Sequence, residues 1–146
     1  METDGRVVTR RLWWVGPATV VASVIAVDIG RIILVAVLNP NPLSEALMRA
    51  PCTFWTVILV TAAVLVFRIV AGYSRRPVLL FRRIALIALL LSFIPDALLA
   101  VNGTFNTTWT SAIALMVLHV VAWAVTVPML TRLTMAPSAA AQVSAT

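Results

Sequence analysis

The chain has 146 residues, 62% of them hydrophobic and only 11% charged, with a mean hydropathy of +1.04. These values lie far outside soluble-domain norms and exclude a soluble globular enzyme. Lysine is absent, so the net charge of +6 and the pI near 11.6 are arginine effects.

A helix needs about 20 apolar residues to cross about 30 Å of hydrocarbon, and four such stretches are present. The first covers residues 12–38, between Arg10 and Arg11 and the breaker Asn39-Pro40-Asn41-Pro42. Trp13 and Trp14 stand at its start, where an interfacial aromatic belt belongs. Its apolar run, roughly 26 residues, is longer than a 7–15-residue signal core and reads as an uncleaved anchor. The second covers 52–73, opened by Pro51 and closed by Gly72, with Arg68 placed to snorkel. The third covers 77–101, with Pro77 in its first turn and Asn102-Gly103 as its stop. Asn106 or Thr107 is expected to cap the fourth, 107–133. The reading is an all-α integral membrane four-helix bundle. Residues 1–11 form a cytoplasmic segment, 12–134 the four-span domain and 135–146 a flexible cytoplasmic tail rich in Ala and Ser.

With four spans, Arg6, Arg10, Arg11, Arg68, Arg75, Arg76, Arg82, Arg83 and Arg132 fall on one side, whereas Arg49 is alone on the other. The positive-inside rule then gives an N-in, C-in topology in the cell inner (plasma) membrane. Arg75, Arg76, Arg82 and Arg83 bracket a short apolar turn and suit anionic lipid headgroups of the bilayer as partners. Nucleic acid is not an expected partner, because no soluble basic domain exists to hold it.

The outer connections differ. Residues 43–49 are amphipathic, with Ser44 a candidate cap and Leu43 and Leu47 one turn apart, and they either lie on the surface or lid the bundle. Residues 102–108 are short and polar, which makes the third and fourth helices antiparallel neighbours.

Four polar residues interrupt the hydrocarbon. At 1.5 Å per residue from the outer helix ends, Asp96 is about 9 Å deep, Arg31 about 12 Å, and Asp28 and His119 about 16 Å. Asp28 and Arg31, three residues apart, share a helix face. Level matching pairs Arg31 with Asp96 and Asp28 with His119. Pairing is expected because an isolated charge costs roughly 2.5–3.5 kcal/mol at such a depth on insertion scales. Ser92 joins the candidate cluster through the stripe Ala85, Ala88, Ser92, Asp96 and Ala100, which is small and polar. Pro95 bends the helix beside Asp96. Ala112, Met116 and Trp123 share a face with His119.

On the first helix, Ala18, Ala22, Ala26 and Gly30 form a small-residue packing stripe. Asp28 lies about 200° round from Ala26, so this helix has two protein neighbours, within one bundle or across a homo-oligomer or larger membrane complex.

Phe81-Arg82-Arg83-Ile84-Ala85, Leu91-Ser92-Phe93-Ile94-Pro95-Asp96, Leu115-Met116-Val117-Leu118-His119 and Val127-Pro128-Met129-Leu130 resemble the small four-helix membrane proteins of the bacterial DUF6069 family. The resemblance extends from the first span through Arg132. It implies a four-helix topology and a bacterial source, points to Ser92, Pro95 and His119, and brings no assigned activity.

Cys52 is the single cysteine, so paired-thiol redox chemistry has no basis. His119, Asp28 and Asp96 are too few for an ordinary metal site, no phosphate-cradling loop or nucleophile-base arrangement occurs, and no catalytic residue or cofactor is implied. Three roles remain for the cluster. It is a structural network in an accessory or scaffold-type membrane subunit, or a proton relay in a small transporter using His119 with Asp28 or Asp96. In the third, His119 contacts haem, pigment or quinone.

Overall fold

The computed structural model describes residues 9–40 and 42–135, without the side chains of Thr9 and Arg10. Residues 1–8, Arg6 among them, Asn41 and the tail from residue 136 lie outside the described residues. The described chain forms four long helices, α1 (Thr9–Leu38), α2 (Arg49–Tyr73), α3 (Pro77–Asn102) and α4 (Trp109–Leu133), each long and apolar enough to cross a membrane. Short 3-10 turns, Glu45–Leu47 and Thr104–Asn106, lie in the two longer connections.

The helix limits follow from local chemistry. Asn39 ends α1 in the left-handed region at φ 44°, ahead of Pro40, which has no N–H to continue the ladder. Gly103 ends α3 at φ 62°, a conformation open to a residue without Cβ. The cap of α4 is Thr108, whose hydroxyl accepts from the Ser111 N–H at 3.3 Å; neither Asn106 nor Thr107 takes that place. Asn106 stands at φ 53°, whereas an N-cap needs the extended backbone that Thr108 adopts. Helix α2 starts at Arg49, so Pro51 lies within its first turn, where a missing N–H costs nothing. Pro95 does not break α3.

The helices pack antiparallel, with α1 against α4 and α2, and α3 against α4 and α2. The small stripe on α1 is only half-buried; the fully buried line is Val15, Thr19 and Ser23, joined by Val27. Gly30 nevertheless approaches α4 closely, since a Cβ there would meet Leu118 Cδ2 at 3.2 Å. Two apolar cores result. Val15, Phe67, Phe81 and Leu130 form one at the arginine-rich end, with Phe67 and Phe81 edge to face at 4.9 Å. Val27, Leu47, Cys52, Leu115 and Leu118 form the other at the far end.

At most 33% of the most apolar stretch of any helix is buried inside the bundle, so most of that apolar surface faces outward. Trp13, Trp14 and Tyr73 are exposed at one end, and Phe54, Trp55, Phe105 and Trp109 at the other, as two interfacial belts would require. Buried hydroxyls are tolerated inside because Thr19, Thr56 and Thr131 donate to carbonyls four residues earlier on their own helices, at 2.7, 2.7 and 2.8 Å.

Candidate functional site

Asp28, Asp96 and His119 fall into two separate contacts. On α4, His119 Nδ1 lies 3.1 Å from Asp96 Oδ2 of α3 and 3.0 Å from the Leu115 carbonyl one turn earlier. Both neighbours are acceptors, so the proton belongs on Nδ1, and Nε2 faces away from the pair. The Nδ1–H serves the Leu115 carbonyl, and Asp96 Oδ2 receives no aligned hydrogen bond among the described residues. Asp96 is buried, whereas the His119 side chain keeps 28% of its surface exposed at the bundle edge.

The second pair lies between α1 and α2, where Arg49 Nε donates to Asp28 Oδ2 at 3.2 Å. The Arg49 side chain is 76% exposed, so this pair opens toward the far end of the bundle. Arg31, three residues on from Asp28 along α1, has a buried Nε that finds no hydrogen-bond partner among the described residues. The Cys52 thiol donates to the Ala46 carbonyl at 3.4 Å and ties the 3-10 turn to α2. Leu47 is buried in the far-end core and Ala46 packs against it while Leu43 remains exposed, so the amphipathic segment lids that core through Ala46 and Leu47.

The level-matched pairs expected from the sequence are exchanged. Asp96 meets His119 instead of Arg31, and Asp28 meets Arg49 instead of His119. One cause is that Val27 and Leu118, the chain neighbours of Asp28 and His119, are buried in the same apolar core. Hydrocarbon therefore fills the far end of the α1–α4 seam, and Asp28 and His119 each turn to the helix on the other flank. Asp28 lies about 140° round α1 from Ser23, which faces α4. The second cause is uneven height: Arg49 begins α2, so Asp28 stands level with the start of that helix although it is about 15 Å from the end of α1.

Ser92 does not enter either pair; its hydroxyl donates to the Leu89 carbonyl of its own helix at 2.7 Å. Of the small stripe, Gly30 makes the close approach to α4, and Ala18, Ala22 and Ala26 line its half-buried flank. Arg75, Arg76, Arg82 and Arg83 are all exposed.

Sequence reasoning missed Arg49 as a partner, and it missed the Ser23–Thr126 contact, two hydroxyl oxygens 3.0 Å apart across α1 and α4. The available signals were the isolation of Arg49 on its side and the presence of single hydroxyls amid apolar runs. Among the described residues no three His, Cys, Asp or Glu side chains converge on a possible metal position. No family model, curated protein or solved structure matches this chain.

Proposed function

We propose that the chain is an accessory or scaffold-type multi-pass membrane subunit, both termini cytoplasmic, in which the intramembrane polar contacts serve the architecture. One observation carries this reading: three polar contacts each join a different pair of helices. Asp28–Arg49 joins α1 to α2, Ser23–Thr126 joins α1 to α4, and Asp96–His119 joins α3 to α4. Together they link all four helices in one series, with apolar side chains packed between the Asp28–Arg49 and Asp96–His119 contacts. Polar contacts in a lipid-embedded bundle fix which helices pair and in what register, because a mispaired arrangement leaves a charge in hydrocarbon.

A second reading has an observation of its own. Among the described residues Asp96 Oδ2 lacks an aligned donor and Nε2 of the partly exposed His119 has no partner, so this pair has the parts of a proton relay. The purified protein in liposomes containing a pH-sensitive dye separates the two readings. The structural role is expected to give no proton flux above that of empty vesicles, and His119→Ala and Asp96→Asn should lower the unfolding temperature. Flux in the parent protein that disappears in a folded His119→Ala variant would replace the scaffold reading with the relay.

A further inference from the structure

Between α3 and α4, at the arginine-rich end, an open groove of about 450 Å³ falls within the size range of ligand sites. Three of its lining side chains are Arg82, Arg83 and Arg132. None of the three forms an ion pair among the described residues, and the described acids Asp28, Glu45 and Asp96 stand elsewhere in the fold. The remaining wall is largely hydrocarbon, supplied by Leu79, Leu86 and Val127, with Trp123 at the deep end. From Arg132 to Trp123 is nine residues of α4, or roughly 13 Å along the helix axis. A cationic mouth therefore continues into an apolar slot that runs parallel to the helices.

We infer that this groove seats one anionic phospholipid, its phosphate against Arg82, Arg83 and Arg132 and one acyl chain along the slot toward Trp123. Charge complementarity selects the headgroup, since guanidinium groups bind phosphate oxygens through paired N–H donors. The apolar slot distinguishes a lipid from a soluble phosphate, which would have no use for it. This site is narrower than the general attraction of a basic face to anionic lipid, because Arg75 and Arg76 do not line the groove. The inference rests on the membrane-spanning reading proposed above.

The test uses the full chain, delipidated in mild detergent and titrated with phosphatidylglycerol or phosphatidylcholine, with bound lipid counted by native mass spectrometry. One phosphatidylglycerol per chain is expected, held in clear preference to phosphatidylcholine. The variant Arg82→Ala/Arg83→Ala/Arg132→Ala should lose affinity on the order of a hundredfold, from three headgroup contacts. Arg75→Ala/Arg76→Ala, which also removes cationic charge, should retain the preference. Dihexanoyl phosphatidylglycerol should bind far more weakly than the long-chain lipid, because it leaves the slot unfilled. Equal retention of the two headgroups, equal loss in the two arginine variants, or equal binding of short and long chains would overturn the assignment. So would a second copy of the chain occupying the groove in place of lipid, read as a dimer that dissociates in the triple variant. Extraction of the chain from membranes by alkaline carbonate would instead remove the membrane reading itself, so the two failures are separable.

Discussion

At Asp96 and His119, attraction and hydrogen-bond direction have parted: the imidazole N–H points to the Leu115 carbonyl while the carboxylate stands 3.1 Å from the same nitrogen. The two side chains should still be energetically coupled, since they stand 3.1 Å apart inside an apolar bundle. A double-mutant cycle of Asp96→Asn and His119→Ala, read by reversible unfolding in detergent, is expected to give a coupling of about 0.6–1.7 kcal/mol. The pair Asp28→Asn and His119→Ala should be additive to within about 0.5 kcal/mol, because the two residues share no partner. Strong coupling in the second cycle and none in the first would restore the pairing expected from depth. The Asp28–Arg49 contact is weaker, because water or headgroups reach an arginine that is 76% exposed. Arg49→Ala should cost no more than about 1 kcal/mol, and Asp28→Asn in that background should recover part of it by removing the orphaned carboxylate.

Among the elements, α1 packs on both α4 and α2. Its close approaches are made at glycines: a Cβ on Gly16 would meet Val64 Cγ1 at 3.1 Å, and one on Gly30 would meet Leu118 Cδ2 at 3.2 Å. Gly30→Leu must push α1 away from α4, with an expected loss of about 1–3 kcal/mol in the same unfolding measurement. At Gly72, near the end of α2, a Cβ would have nothing within 4 Å, so Gly72→Ala should be neutral or stabilising by up to about 1 kcal/mol. If both substitutions had the same effect, close helix contact would not be what Gly30 supplies. The small-residue stripe was legible at Gly30 because spacing alone marks a close approach. Val15, Thr19 and Ser23 were not legible as the deepest line, since a residue's burial depends on where the neighbouring helix crosses and not on its size.

For the molecule as a whole, the arrangement in which α1 lies between α2 and α4 can be checked without a function. Ser23→Cys with Thr126→Cys, in a Cys52→Ser background, should form an intramolecular disulfide on mild oxidation in native membranes, because the two hydroxyl oxygens are 3.0 Å apart. Cross-linking between chains instead would transfer that contact to an oligomer. A reporter active only in the cytoplasm should work when fused after Arg132 and fail when inserted between Leu43 and Met48, if the arginine-rich end faces inward. The reverse pattern would invert the topology.

Composition and the spacing of arginines, prolines and glycines determined that this chain forms four apolar helices, because each span is a local property of about 20 consecutive side chains. The presence of charge within those spans was equally legible at Asp28, Arg31, Asp96 and His119. Only the tertiary structure decided the partners. Depth counted along each helix assumes that helix ends share one plane, whereas Arg49 at the start of α2 stands level with Asp28 well inside α1. It also assumes that polar side chains turn toward a common centre. Val27 and Leu118 occupy that centre, so hydrocarbon packing at the α1–α4 seam divided one expected cluster into two pairs.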